Sequence, residues 1–125
     1  MKKLIIGLVI VIVFGTAGFI SQFKNKITDE PAANNLDSFA RCLTEKKITM
    51  YGASWCPHCQ AQKKMFGDSF RLVQYVECPE NIKLCFEKGV QLFPTWIFDD
   101  GRKFEGAQSL EKLSELSVCA LPVVK

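Results

Sequence analysis

Two cysteines, Cys56 and Cys59, stand two residues apart with Pro57 and His58 between them. Residues 48–51 form a short strand-like run, which ends in the turn Gly52-Ala53-Ser54, and a helical segment opens at Cys56. A cysteine in the first turn of a helix meets unpaired backbone N–H groups and the positive end of the helix dipole. Both favour thiolate over thiol, and the thiolate is the nucleophile. The two intervening residues let the second sulfur fold back onto the first. Cys56 therefore reads as the exposed attacking thiol and Cys59, one turn deeper, as the resolving one. The chemistry implied is thiol–disulfide exchange. Trp55 reads as an apolar cap beside the reactive sulfur. His58 is the only histidine. A surface imidazole is its plain reading, but between two cysteines a partly protonated ring stabilises the Cys56 thiolate. Stabilising the reduced form makes the disulfide a stronger oxidant.

Zinc sites use the same cysteine spacing, so Cys56, Cys59, Cys78 and Cys85 make a competing Cys₄ reading. That reading leaves the Trp-Cys-Pro-His-Cys setting and the later Phe93-Pro94-Thr95 unexplained, and no metal is expected.

The elements that must hold this pair follow from periodicity. Leu36, Phe39, Ala40 and Leu43 fall at helical spacing over residues 36–46, with Cys42 near the apolar face. Residues 48–51 are the first strand. Over 56–66 a helix is expected with Gln60, Gln62, Lys63 and Lys64 wet and Ala61, Met65 and Phe66 buried, closed by Gly67. Residues 72–78 are rich in strand formers. Pro79 breaks that run, and 81–88 makes a short helix closed by Gly89. Strands 95–98 and 102–105 flank Asp99-Asp100-Gly101, a hairpin signal in which the two carboxylates are turn chemistry. Residues 109–117 form a closing helix, with Ser109 at the cap and a Leu110, Leu113, Leu116 stripe. Trp96, Phe98 and Phe104 read as core or sheet-face residues, with a substrate groove as the alternative for Trp96. Phe66, Phe70 and Phe86 read as packing. The order α-β-α-β-α-β-β-α describes a small α/β domain with a mixed sheet and helices on both faces.

Composition sets the compartment. The 125 residues carry six cysteines and a net charge of +3. Lys2, Lys3, Lys24 and Lys26 against Asp29 and Glu30 give residues 1–35 a surplus of two. Residues 36–125 have twelve basic and eleven acidic side chains, with no basic stripe, which removes support for nucleic-acid binding. Residues 4–20 are uncharged and almost wholly apolar, behind Lys2 and Lys3. Residues 1–23 read as a membrane anchor, since the apolar run continues through Phe19 and Ile20. A signal peptide cleaved after Gly15-Thr16-Ala17 is the alternative. Residues 24–35, polar and containing Pro31, read as a linker, and 36–125 as the folded domain. In either case Lys2 and Lys3 stay cytoplasmic and the domain lies outside. A high cysteine count agrees with an exported, oxidising location.

Trp55-Cys56-Pro57-His58-Cys59 in a strand-turn-helix setting, followed by Phe93-Pro94-Thr95 ahead of a strand, resembles the thioredoxin superfamily. The resemblance implies a thioredoxin-like fold, a mixed central sheet flanked by helices, here preceded by one N-terminal hydrophobic helix. It implies that Pro94 is cis and packs against the dithiol. It further implies that the backbone of Phe93 and Thr95 pairs with an extended substrate peptide beside Trp55, an edge pairing that reads main chain more than side chain. Met50-Tyr51-Gly52-Ala53, Met65-Phe66-Gly67, Tyr75-Val76-Glu77-Cys78 and Pro94-Thr95-Trp96 are similar to the thioredoxin-like domain fused to bacterial homologues of vitamin K epoxide reductase. That family exchanges disulfides between exported cysteine-containing proteins and a quinone-linked membrane reductase, with no cofactor in the domain itself. This chain shows one apolar segment and no four-helix reductase portion. Matching cysteines in the family imply a Cys78–Cys85 disulfide. Cys42 on the first helix and Cys119 after the last can staple the terminal elements, the alternative for each cysteine being a buried free thiol. Thioredoxin's buried acid, six residues before the first cysteine, is replaced by Met50, so Cys59 must exchange its proton through water or another group. The expectation is an extracytoplasmic oxidoreductase that donates disulfides. The alternatives are a reductase or isomerase of the same compartment and a redox-inactive binding module.

Overall fold

The computed structural model describes residues 36–123. The expected anchor or signal segment (1–23) and linker (24–35) lie outside the described residues, and among the described residues no helix is long and apolar enough to cross a membrane. Helix α1 (Asp37–Glu45) leads into strand β1 (Thr49–Gly52), then helix α2 (Pro57–Phe66) and a 3₁₀ segment (Gly67–Leu72). Strand β2 (Gln74–Glu77), a 3₁₀ turn (Cys78–Glu80) and helix α3 (Ile82–Glu87) follow. Strands β3 (Thr95–Ile97) and β4 (Lys103–Glu105) and helix α4 (Leu110–Ser117) complete the domain.

The sheet order is β2-β1-β3-β4. β1 and β2 are parallel, joined through α2, and the other two pairs are antiparallel. The β3–β4 turn closes where the Gly101 N–H donates to the Phe98 carbonyl at 2.9 Å. Gly101 takes φ +86°, a conformation that costs glycine nothing.

Directly paired residues share a face of a sheet, and successive residues alternate. One face therefore carries Met50, Tyr75, Trp96 and Phe104 and packs into the main core with Phe39, Ala40 and Leu43 of α1, Phe66 of α2 and Leu113 of α4. Phe66 is its hub, with ring centroids 5.8 Å from Phe39, 6.0 Å from Trp96 and 6.0 Å from Phe70. The other face carries Tyr51 and Ile97 against Cys78 and Cys85, a smaller cluster. Trp96 is fully buried and belongs to the core.

Two covalent ties close the domain. Cys42 is bonded to Cys119 across 77 residues, and Cys78 to Cys85 across 7. Asp37 adds a polar tie, accepting from Arg71 Nη2 at 2.7 Å and from Ser69 Oγ at 2.7 Å, which fixes the start of α1 to the 3₁₀ segment.

The structure departs from the periodicity in three places. On α2 the buried residues are Cys59, Gln62 and Phe66, while Ala61 and Met65 face outward. The helix is rotated from the expected face because Gln62 has polar partners inside. It accepts from Trp96 Nε1 (3.2 Å) and the Gln108 N–H (2.7 Å), and its Nε2 donates to the Gln108 carbonyl (3.0 Å). A buried amide so satisfied carries little desolvation penalty. Phe86 is 84 % exposed rather than packed, since α3 is six residues long and only Cys85 of it is buried, beneath its disulfide. Strand β2 is shorter than the expected 72–78, because the 3₁₀ segment runs to Leu72 and the next begins at Cys78.

Candidate active site

β1 ends at Gly52, the chain turns through Ala53 and Ser54, and Cys56 is the N-cap of α2, with Pro57 at the first helical position. Proline suits that position, since its missing N–H would be unpaired there in any case. Cys56 is therefore the residue just before the helix rather than within its first turn. The turn is braced from β2 and α2: the Ser54 N–H donates to Glu77 Oε1 at 2.8 Å, and Gln60 Nε2 donates to the Ser54 carbonyl at 2.9 Å.

Both thiols are free. Cys59 is fully buried, and Cys56, expected to be exposed, keeps only 7 % of its surface. The Cys56 S–H points to the Phe93 carbonyl at 3.7 Å. The Phe93–Pro94 peptide bond is cis, and the Phe93 carbonyl lies beside the sulfur. Pro94 and Thr95 are buried, with Thr95 Oγ1 donating to the Leu92 carbonyl at 2.7 Å, and the Pro94 carbonyl accepts from the Gly106 N–H. Trp55 is 66 % exposed and meets the Phe93 ring edge to face, centroids 6.1 Å apart. The tryptophan and the proline loop thus form one rim beside Cys56. His58 is exposed at the start of α2. Cys78 and Cys85, bonded to each other, sit behind Phe93 and form no thiolate set with the dithiol.

The two sulfurs are electrostatically unlike. Burial pushes the Cys56 thiol up, but the Cys59 N–H, the Cys59 thiol and the His58 N–H outweigh it, so Cys56 ionises below the usual cysteine value. His58 thus reaches that sulfur through its backbone N–H. Burial pushes Cys59 up to about 11, reinforced by the Cys56 sulfur and only partly offset by Ala53 N–H and Lys63. One thiol ionises more readily than an ordinary cysteine and its neighbour holds its proton, the arrangement that thiol–disulfide exchange needs.

No family model matches the chain. It is 36 % identical over 107 residues, 78 % of its length, to the thiol-disulfide oxidoreductase LTO1 of Arabidopsis thaliana. It is 28 % identical over 79 residues, 58 % of its length, to the thioredoxin of Methanocaldococcus jannaschii. The chain spans 28 % of the plant protein's length and 93 % of the archaeal one's. Among solved structures, the thioredoxin of Fasciola hepatica superposes with a TM-score of 0.45 at 24 % identity, covering 61 % of this chain and 85 % of that one. The germline-specific thioredoxin Deadhead of Drosophila melanogaster gives 0.48 at 17 % identity, covering 70 % and 96 %.

Three residues to which the sequence assigned no role at the dithiol stand near it. Tyr75 and Glu77 stand on β2 beside β1, and Lys63, expected as a solvated face, holds its Nζ 3.9 Å over the Tyr75 ring. The available signal was the i, i+2 spacing of Tyr75 and Glu77 on an expected strand, which puts both on one face.

Proposed function

We propose that this chain is an extracytoplasmic thiol–disulfide oxidoreductase, tethered by its N-terminal segment, that donates disulfides to exported cysteine-containing proteins. The observation that carries the reading is the pairing of a Cys56 thiol held below the usual value with a buried Cys59 held near 11. A client thiolate attacks Cys56 of the oxidised pair, and Cys59 leaves with the electrons of the broken bond. A second client thiolate then resolves the mixed disulfide, and Cys56 leaves as the stabilised thiolate. Trp55, Phe93, Pro94 and Thr95 form the docking rim, where an extended peptide lies beside the sulfur. The Cys42–Cys119 and Cys78–Cys85 bonds suit an oxidising compartment. The plant relative is a thiol-disulfide oxidoreductase, which supports disulfide exchange, and likeness to the domain fused to vitamin K epoxide reductase homologues supports re-oxidation by a quinone-linked membrane reductase. Secretion after signal cleavage places the same domain in the same compartment.

Replacing Cys59 with Ser and isolating mixed disulfides from intact cells tests this directly. Exported proteins held through Cys56, with a reduction potential between about −270 mV (thioredoxin) and about −120 mV (a strong oxidase) and nearer the latter, are expected. A potential at or below the lower figure makes the protein a reductase or isomerase. An empty trap with an ordinary Cys56 thiol makes it a binding module.

A further inference from the structure

On the function proposed above, Cys59 gains or loses a proton in each cycle, yet its side chain is sealed from solvent. The carboxylate that thioredoxin uses is replaced by Met50, which is fully buried among apolar side chains. Two observations place another route on β2. A Cβ built on Gly52 would lie 2.7 Å from Cys59 Sγ and 3.5 Å from Tyr75 Oη. The sulfur and the phenolic oxygen therefore border one small space, kept open because residue 52 has no side chain. Beyond it, the Tyr75 O–H donates to Glu77 Oε2, and Glu77 Oε1 accepts from the N–H of the exposed Ser54. Polar groups thus run from Tyr75, across that space from the buried sulfur, to the surface turn.

Register explains how the sequence builds this. β1 and β2 pair in parallel with Met50 opposite Tyr75 and Gly52 opposite Glu77. The residues beside the apolar Met50 on the same face are the ones that bring a hydroxyl and a carboxylate. The titratable and charged groups around Cys59 are Cys56 and Lys63 from the α2 side and Tyr75 from β2, with Glu77 behind Tyr75, while the turn after β1 offers the backbone of Ala53.

We propose that Tyr75 and Glu77 are positioning residues that relay the Cys59 proton, doing from the neighbouring strand what a carboxylate at position 50 would do. When a client thiolate attacks Cys56, the Cys56–Cys59 bond breaks and its electron pair stays on Cys59 Sγ. Glu77 takes a proton from water at the Ser54 turn and passes it to Tyr75 as Tyr75 passes its own to Cys59. In the reverse step the Cys59 proton passes to Tyr75 as Tyr75 passes its own to Glu77, and the Cys59 thiolate attacks Cys56 Sγ. The resting charges agree. Burial and the Glu77 hydrogen bond hold Tyr75 in its phenol form. Burial raises Glu77, but the Tyr75 and Ser54 hydrogen bonds outweigh it and keep it a carboxylate.

Reaction of the reduced full-length chain with an aromatic disulfide reagent releases one coloured thiol as Cys56 attacks and a second as Cys59 resolves. The ratio of second to first rate near pH 7 is expected to fall about tenfold to a hundredfold in Tyr75→Phe and in Glu77→Gln, up to the lower end of what a positioned proton-transfer group supplies. The ratio should recover as the pH approaches 11, where Cys59 ionises unaided. Tyr75→Phe keeps the ring that packs 5.7 Å from Phe70, and circular dichroism checks each fold. If only one variant folds, its ratio decides. A second release with unchanged ratio and pH profile overturns the relay while leaving the oxidoreductase reading intact. Absence of the first release from the unaltered protein overturns both.

Discussion

Gly52→Ala tests how tightly the space beside the dithiol is drawn. Gly52 lies outside the left-handed region, so its backbone accepts alanine. Stiffening the unfolded chain would by itself stabilise the protein by about 0.4–1 kcal/mol. Against that, the new methyl lands 2.7 Å from Cys59 Sγ and 3.3 Å from Tyr75 Cε2, where carbon contacts are comfortable at roughly 3.5–4 Å. The sulfur belongs to a fully buried residue of α2, so it yields only by changing rotamer or pushing the helix. Overpacking of one methyl into such a core costs about 1–3 kcal/mol. The net expectation is a loss of about 1–2 kcal/mol, read by urea denaturation of the reduced protein, together with slower resolution by Cys59. A variant at least as stable as the parent, with unchanged resolution, would refute the claim that Gly52 keeps this space open.

Ultraviolet titration of the thiolates should show two steps, one below the usual cysteine range and one near 11, with Cys59→Ser removing the upper step. Two overlapping steps in the ordinary range would contradict the asymmetry. Gln62→Leu strips the acceptor from the Trp96 indole N–H and the Gln108 N–H, at about 1–3 kcal/mol for each buried donor left unpaired. A denaturant midpoint unchanged from the parent would show that those bonds are replaceable. Replacing Cys42 and Cys119 with Ser reopens a 77-residue loop, an expected loss of about 4 kcal/mol on the chain-entropy model. Calorimetry should find a much lower Tm, and an unchanged one would mean that the tie constrains nothing. The Asp37 carboxyl is held down, from 3.8 to about 2, chiefly by the Arg71 hydrogen bond and then by Ser69. Because the folded value is depressed, its contribution is present above about pH 4 and lost as pH falls toward 2. Asp37→Asn should therefore flatten acid destabilisation across that window, and an identical acid limb would rule this tie out.

The dithiol, its place at a helix start and the order of elements were legible in the sequence because each is local. A strand run, a Gly-Ala-Ser turn and a Cys-Pro start are settled within ten residues, as are the hairpin at Gly101 and the cap at Ser109. What the sequence left open depends on side chains far apart in the chain. The burial of Gln62 requires Trp96 and Gln108, which lie 34 and 46 residues away. The exposure of Phe86 follows from how little of α3 finds a partner. The setting of Cys59 depends on strand register, since a parallel pairing shifted by one residue would send Tyr75 and Glu77 to the opposite face. Periodicity reports which face of an element is apolar, whereas only the folded sheet decides which polar group stands beside a buried sulfur.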